Sequence, residues 1–396
     1  MFEELGLPLR FLYAGPPARQ SCHARATSNP MLRTPHHGRH LDDFVAGAIF
    51  AHPWDVTLDE GMLALFAASF QDATPTYASR TAARAVGLSG RPVHPLLLLN
   101  LGLAFSVHDV SERAIANLAY IDVRFPSACY PGDTVRASSQ VIGVKPVSTG
   151  DKGVVHVRTQ LVTDEGALVC SFERKALVRA GRMAGRPADA PHGVVPIEGD
   201  PPRIPAAIAA SLARGGPADL AHRGGFPTFW EDLEVGDVIA HDNGRTVSES
   251  EAMQLTTLAR NSHPIHVDEH SCKGSSFAKT RVVFGGLVVA WVLSLTSRDT
   301  AGNAIWDLGL DEGAHPSGVF AGDTLFAATQ VLAKEIVSVD AGSVTLRVVG
   351  LKNTPALPLL ERGEDLFTPE LGKTSGKVHE KVVEITRTLL VRRHRS

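Results

Sequence analysis

The 396-residue chain is 44% hydrophobic and 20% charged, which suits a folded protein with room for two domains and excludes a mini-protein or a disordered tail. Thirty-nine Lys+Arg against forty-two Asp+Glu leave a formal net charge of -3, so no global positive field points to nucleic acid or to an anionic membrane surface, and a small molecule is the expected partner. The most apolar stretches, 96–105 and 282–295, fall short of the ~18 apolar residues a bilayer span needs and read as buried helices.

From the N-terminus, residues 1–41 are rich in Arg and Pro and carry no acid after Glu4, which reads as a flexible extension, with a targeting segment as the alternative. The rest is organised by a repeat. DDFVAGAIFAH (42–52) is answered by EDLEVGDVIAH (231–241), and DATPTY (72–77) by NSHPIH (261–266), both at a shift of 189. YPGDTVRASSQV (130–141) is answered by FAGDTLFAATQV (320–331) at 190. Three blocks in one order at nearly one offset indicate a duplicated domain.

Each copy reads as a short strand, a helix with apolar residues at helical spacing (Met62, Leu65, Phe66 and Phe70 in the first), a Pro-containing turn, a long apolar helix and then alternating strands opened by Gly-Asp turns at Gly132 and Gly322. One long helix framed by an antiparallel sheet, twice, is an α+β arrangement. The expected division is an N-terminal repeat at 42–179, a Gly- and Pro-rich linker at 180–227 with a short helix at 206–214, and a C-terminal repeat from 228, with an alternating run at 378–390 adding a closing strand. Cys22, Cys129, Cys170 and Cys272 contain no CxxC pair, which argues against a disulfide framework and fits a reducing cytoplasm.

The segment ARNSHPIHVD (259–268) closely resembles the D-x-N-P-x-H signature of the MaoC-like enoyl-CoA hydratases. A duplicated unit of this size resembles the double hotdog proteins, in which two hotdog folds in one chain imitate a dimer. The pieces NLAYIDVRF (117–125), YPGDT (130–134) and VIGVK (141–145) look like mesaconyl-CoA hydratases, also called β-methylmalyl-CoA dehydratases. What the resemblance implies is a hydro-lyase that adds water across a 2-enoyl thioester, with an Asp/His pair on the water and a backbone N–H on the thioester carbonyl. It implies an acyl-CoA substrate and no cofactor beyond that coenzyme A, and it leaves a homodimer open.

A water nucleophile needs a base within hydrogen-bond reach, which nominates His266. VFGGL (283–287) places Gly285 where a helix begins, so its N–H suits a developing enolate oxygen, with Gly286 beside it. The departures are Asn261 where the family has Asp and His263 where it has Asn. An amide cannot take a proton, so Asn261 is expected to orient water through its carbonyl, with His266 as sole base or sharing with His263. Asp72 is expected in an Asx-type turn before Pro75, and Tyr77 replaces the His of the first copy. The spacing of His263, His266 and His270 could suit zinc, but Pro264 breaks the helix face, and no metal is expected. Arg260 or Arg281 is the expected partner of an acyl carboxylate, with Lys279 and Ser275 near the coenzyme. The rival readings are a general (R)-specific enoyl-CoA hydratase, a hotdog thioesterase and a non-catalytic acyl-CoA-binding subunit.

Overall fold

Among the described residues, ten strands run side by side through one continuous sheet and an eleventh pairs with one of them. The first half contributes β1 (Ile49–Thr57), β2 (Ala114–Arg124), β3 (Thr134–Pro146), β4 (Lys152–Thr163) and β5 (Leu168–Arg179). The second contributes β6 (Val238–Ala240), β7 (Arg245–Thr246), β8 (Ala304–Ala314), β9 (Thr324–Ile336), β10 (Ala341–Lys352) and β11 (Lys381–Arg392). Their order, β1-β3-β4-β5-β2-β8-β11-β10-β9-β6 with β7 on β9, is palindromic about the β2–β8 junction, so β2 matches β8 and β5 matches β11. This is the double hotdog, an α+β fold. The computed structural model describes residues 37–181, 199–215, 226–275, 278–371, 373 and 375–394, without the Ser275 side chain. Residues 1–36 and much of the expected linker lie outside them.

Each half wraps its sheet around one helix. Pro95–Phe105 is buried along its whole length, as its unbroken apolar sequence demands, and its start is fixed by His94, whose Nδ1 accepts from Leu96 N at 3.1 Å. Gly285–Thr300 is longer and carries hydroxyls into the core. Its Thr296 and Ser297 satisfy themselves by donating to Leu293 O and Ser294 O within the helix. The two helices touch where Asn100 Nδ2 donates to Gly286 O at 3.1 Å.

The repeated sequence blocks now have physical roles. His52 bridges Asp109, at 3.0 Å, and the Ser139 hydroxyl, at 2.7 Å, and His241 makes the same bridge between Asp299 and Thr329. Gly132 and Gly322 take positive φ in the two Gly-Asp turns, which only glycine adopts freely, and Asp133 and Asp323 accept from Tyr130 N and Phe320 N. The alternating run near the C-terminus forms a strand, as expected. β11 lies inside the sheet between β8 and β10, where its apolar residues are covered on both sides. Four residues join β4 to β5, whereas twenty-eight join β10 to β11, so the counterpart of β5 is displaced along the chain. Among the described residues no helix is long and apolar enough to cross a membrane.

Candidate functional site

The helix Glu249–Leu258 ends in a turn that sets the signature residues. Arg260 takes the left-handed conformation (φ 66°), and Asn261 follows with Oδ1 accepting from His263 N at 2.9 Å. His263 caps the next short helix, Pro264–Val267, through Nδ1, which accepts from Ile265 N at 3.1 Å. That geometry delivers His266 to a place where its Nδ1 donates to Val282 O at 2.8 Å. A carbonyl can only accept, so the proton sits on Nδ1 and the lone pair on Nε2. No described residue bonds Nε2, and the residue lines a cavity of about 360 Å³. Burial, reinforced by His263, pulls the His266 pKa down to about 3, so the ring is neutral at physiological pH.

The cavity lies at the seam of the two halves. The C-terminal half supplies His263, His266, Gly285 and His315, and the N-terminal half supplies Asn117, Tyr120 and Arg174. Gly285 opens the helix Gly285–Thr300, whose first-turn amides have no intrahelical carbonyl to meet, and a Cβ on Gly285 would lie 2.7 Å from His315 Nε2. His315 donates from Nδ1 to Val382 O at 3.2 Å, leaving Nε2 to accept from the Tyr120 hydroxyl at 3.0 Å. Burial lowers His315 to about 4 and raises Tyr120 to about 12, so this pair too is uncharged. Among the described residues, none that lines the cavity is acidic. A larger open groove of about 710 Å³ along Thr228, Asp232 and His394 has no comparable convergence of groups.

The structure brings Asn261, His263, His266 and Gly285 together around the cavity, whose described lining includes neither Arg260, Arg281, Lys279 nor Gly286. Arg260 is exposed, its guanidinium 6.0 Å from the Trp54 ring centroid. Arg281 is ion-paired with Glu249 and, at 3.4 Å, with Glu269. Neither lines this cavity, and Arg281 lines a smaller one of about 100 Å³ that His266 also lines. Lys279 is exposed and donates to Gly274 O at 3.4 Å. Gly286 packs closely on the other central helix, since a Cβ there would lie 2.4 Å from Asn100 Oδ1. The Ser275 side chain lies outside the described residues. His270 is exposed on the following helix, apart from the facing His263 and His266 rings.

The Asn261 Oδ1 is used by the His263 N–H, which fixes the amide orientation and leaves Nδ2, a donor, buried without a partner. Asp72 accepts from Thr74 N at 2.8 Å in the expected Asx turn, and its second oxygen lies 3.7 Å from His94. Burial opposes the Asp72 charge, but His94 and Arg387 outweigh it and hold the carboxyl at about 2. Tyr77 fills the core there, its hydroxyl accepting from Asp307 N at 3.0 Å. Sequence reasoning missed Arg174, Tyr120 and His315, which come from strands and loops far from the signature.

The paired folds, the seam cavity and its neutral histidine define a double hotdog protein of the MaoC-like class. A family model described as mesaconyl-CoA hydratase matches residues 24–202, and the MaoC like domain matches 232–352. The chain is 32% identical over 320 residues to the β-methylmalyl-CoA dehydratase of Chloroflexus aurantiacus, covering 80% of this chain and 89% of that one. It is 35% identical over 335 residues to the mesaconyl-CoA hydratase of Cereibacter sphaeroides, covering 83% and 93%. A solved structure of a MaoC domain protein dehydratase from Chloroflexus aurantiacus superposes with TM-score 0.75 at 30% identity, covering 94% of this chain and all of that one. The chain belongs to the mesaconyl-CoA hydratase family of MaoC-like proteins.

Proposed function

We propose that the protein is a hydro-lyase that reversibly adds water to mesaconyl-CoA to give β-methylmalyl-CoA, the reaction named in both relatives. The observation that carries this is the Nδ1–Val282 hydrogen bond of His266, a cavity-lining residue, which leaves the Nε2 lone pair free to accept a proton. His266 Nε2 takes a proton from water as the water oxygen bonds to the β-carbon, and the displaced electron pair moves onto the thioester oxygen. The Gly285 N–H meets that developing charge, and the imidazolium then returns its proton to the α-carbon. Asn261 Nδ2 donates to the water oxygen, leaving the water protons for His266. The coenzyme A belongs to the substrate, and the buried free thiols of Cys129, Cys170 and Cys272 fit a cytoplasmic setting.

The test follows enoyl-thioester absorbance and free thiol together on mesaconyl-CoA. Absorbance should fall with no thiol released, and His266→Ala should slow the reaction ~100-fold or more, the usual worth of a positioned base. Tyr77→Phe, in the filled counterpart site, should stay within a few-fold. Thiol release would point instead to a thioesterase, and a folded but inert wild type to a binding subunit.

A further inference from the structure

Arg174 projects from β5 into the cavity wall and is only 4% exposed. Its Nη2 donates to the Ser106 hydroxyl at 2.9 Å and the Ser111 hydroxyl at 3.2 Å, while Nε has no partner. Among the described residues no carboxylate lies within ion-pair distance of it. Burial draws its pKa down to about 10, which still leaves it charged at neutral pH. A buried guanidinium held by hydroxyls alone is an unpaired charge, which a fold normally avoids or neutralises.

The other half of the molecule contains the neutralised version. Arg174 faces Tyr120 across the β2–β5 pairing, and Arg387 faces Leu310 across β8–β11. In the same registers Asn117 faces Ala176, and Asp307 faces Leu389. Arg387 is therefore the counterpart of Arg174, and Asp307 the counterpart of Asn117. Arg387 is fully buried and bidentate on Asp307, at 2.6 and 2.9 Å. At the open site an amide stands in place of the matching carboxylate, and among the described residues no acid lines the cavity.

We propose that Arg174 is the specificity-determining counter-ion for a carboxylate on the acyl group, and that Asn117 keeps it available by not supplying the carboxylate that Asp307 gives to Arg387. The inference rests on the proposed acyl-CoA reading and extends it to a dicarboxylic acyl chain held at the end away from its thioester. Two Nη/Nε donors in one plane suit a carboxylate bidentately, and the hydroxyls of Ser106 and Ser111 hold that plane still.

The experiment measures binding of succinyl-CoA and butyryl-CoA, which have no double bond to hydrate, by calorimetry on wild type, Arg174→Gln and Asn117→Asp, alongside hydration of mesaconyl-CoA and crotonyl-CoA. The wild type should prefer succinyl-CoA by ~10- to 100-fold, the worth of a charge-assisted pair. Both variants should lose that preference, and both should raise KM for mesaconyl-CoA far more than for crotonyl-CoA. Asn117→Asp keeps every cation in place, so it decides the matter even if Arg174→Gln fails to fold. A wild type indifferent to the second carboxylate, or a preference that survives Asn117→Asp, overturns the proposal. A preference for succinyl-CoA with no hydration of either enoyl thioester would instead overturn the hydratase reading and leave the carboxylate site standing.

Discussion

Asn261 and Asp72 occupy the same turn in the two halves and make the same hydrogen bond, to the amide two residues on. What differs is the atom left over. In the first half it is a carboxylate oxygen beside His94, and in the second it is an amide donor that leaves the cavity free of acid. The His266 ring consequently has no anion to stabilise its charged form, and its base form persists down to about pH 3. A profile of kcat/KM against pH should therefore stay flat from pH 8 to about 5, with no acid limb at the ordinary histidine value of about 6.5. An acid limb near 6.5 would overturn the assignment. Asn261→Asp should move that limb upward, because a neighbouring carboxylate favours imidazolium, and should lower kcat/KM for mesaconyl-CoA by repelling its second carboxylate. The signature was legible in the sequence because its residues are contiguous. The role of the Asn261 amide was not, since it depends on which atom the turn consumes.

At the scale of elements, the two central helices approach closely enough that Gly286 must lack a side chain. The methyl of Gly286→Ala would press on Asn100 Oδ1, which sits in the buried contact between the helices. Overpacking of this kind costs ~1 to 3 kcal/mol, so Gly286→Ala should lower the denaturation midpoint while leaving KM for mesaconyl-CoA within a few-fold. A large KM rise at unchanged stability would put Gly286 on the substrate side. In the sequence Gly285 and Gly286 look alike, whereas successive positions on a helix face different neighbours. The strands show the opposite difficulty. Asn117 and Asp307 keep the 190-residue offset, so their correspondence was within reach. Arg174 and Arg387 do not keep it, because the long β10–β11 connection shifts the second by more than twenty residues. Only the strand register restores that pairing, and with it the reason one arginine is neutralised and the other is open.

For the molecule as a whole, neither half closes its own core. The sheets meet at β2 and β8, Trp306 Nε1 donates across to Phe125 O at 3.0 Å, and Trp291 Nε1 to Ser69 O at 3.3 Å. One buried apolar cluster runs through both central helices. Unfolding should therefore be a single transition, and acid should expose it. His52, His263, His266 and His315 all have lowered pKa values, chiefly through burial, with His266 at about 3 and His315 at about 4. Between about pH 6.5, where free histidine takes up its proton, and these folded values, the unfolded chain binds more protons than the native one. Stability then rises with pH across that window and falls on acidification. Asp72, held at about 2, adds the same sign below the ordinary carboxylate range. Urea midpoints at pH 7, 6, 5 and 4.5 should fall step by step, with fluorescence and circular dichroism giving coincident transitions at each pH. A midpoint that holds or climbs from pH 7 to 5 would mean that these histidines are charged in the folded protein. Two separated transitions would mean that the halves fold independently, and a site built across their seam could not then survive in either alone.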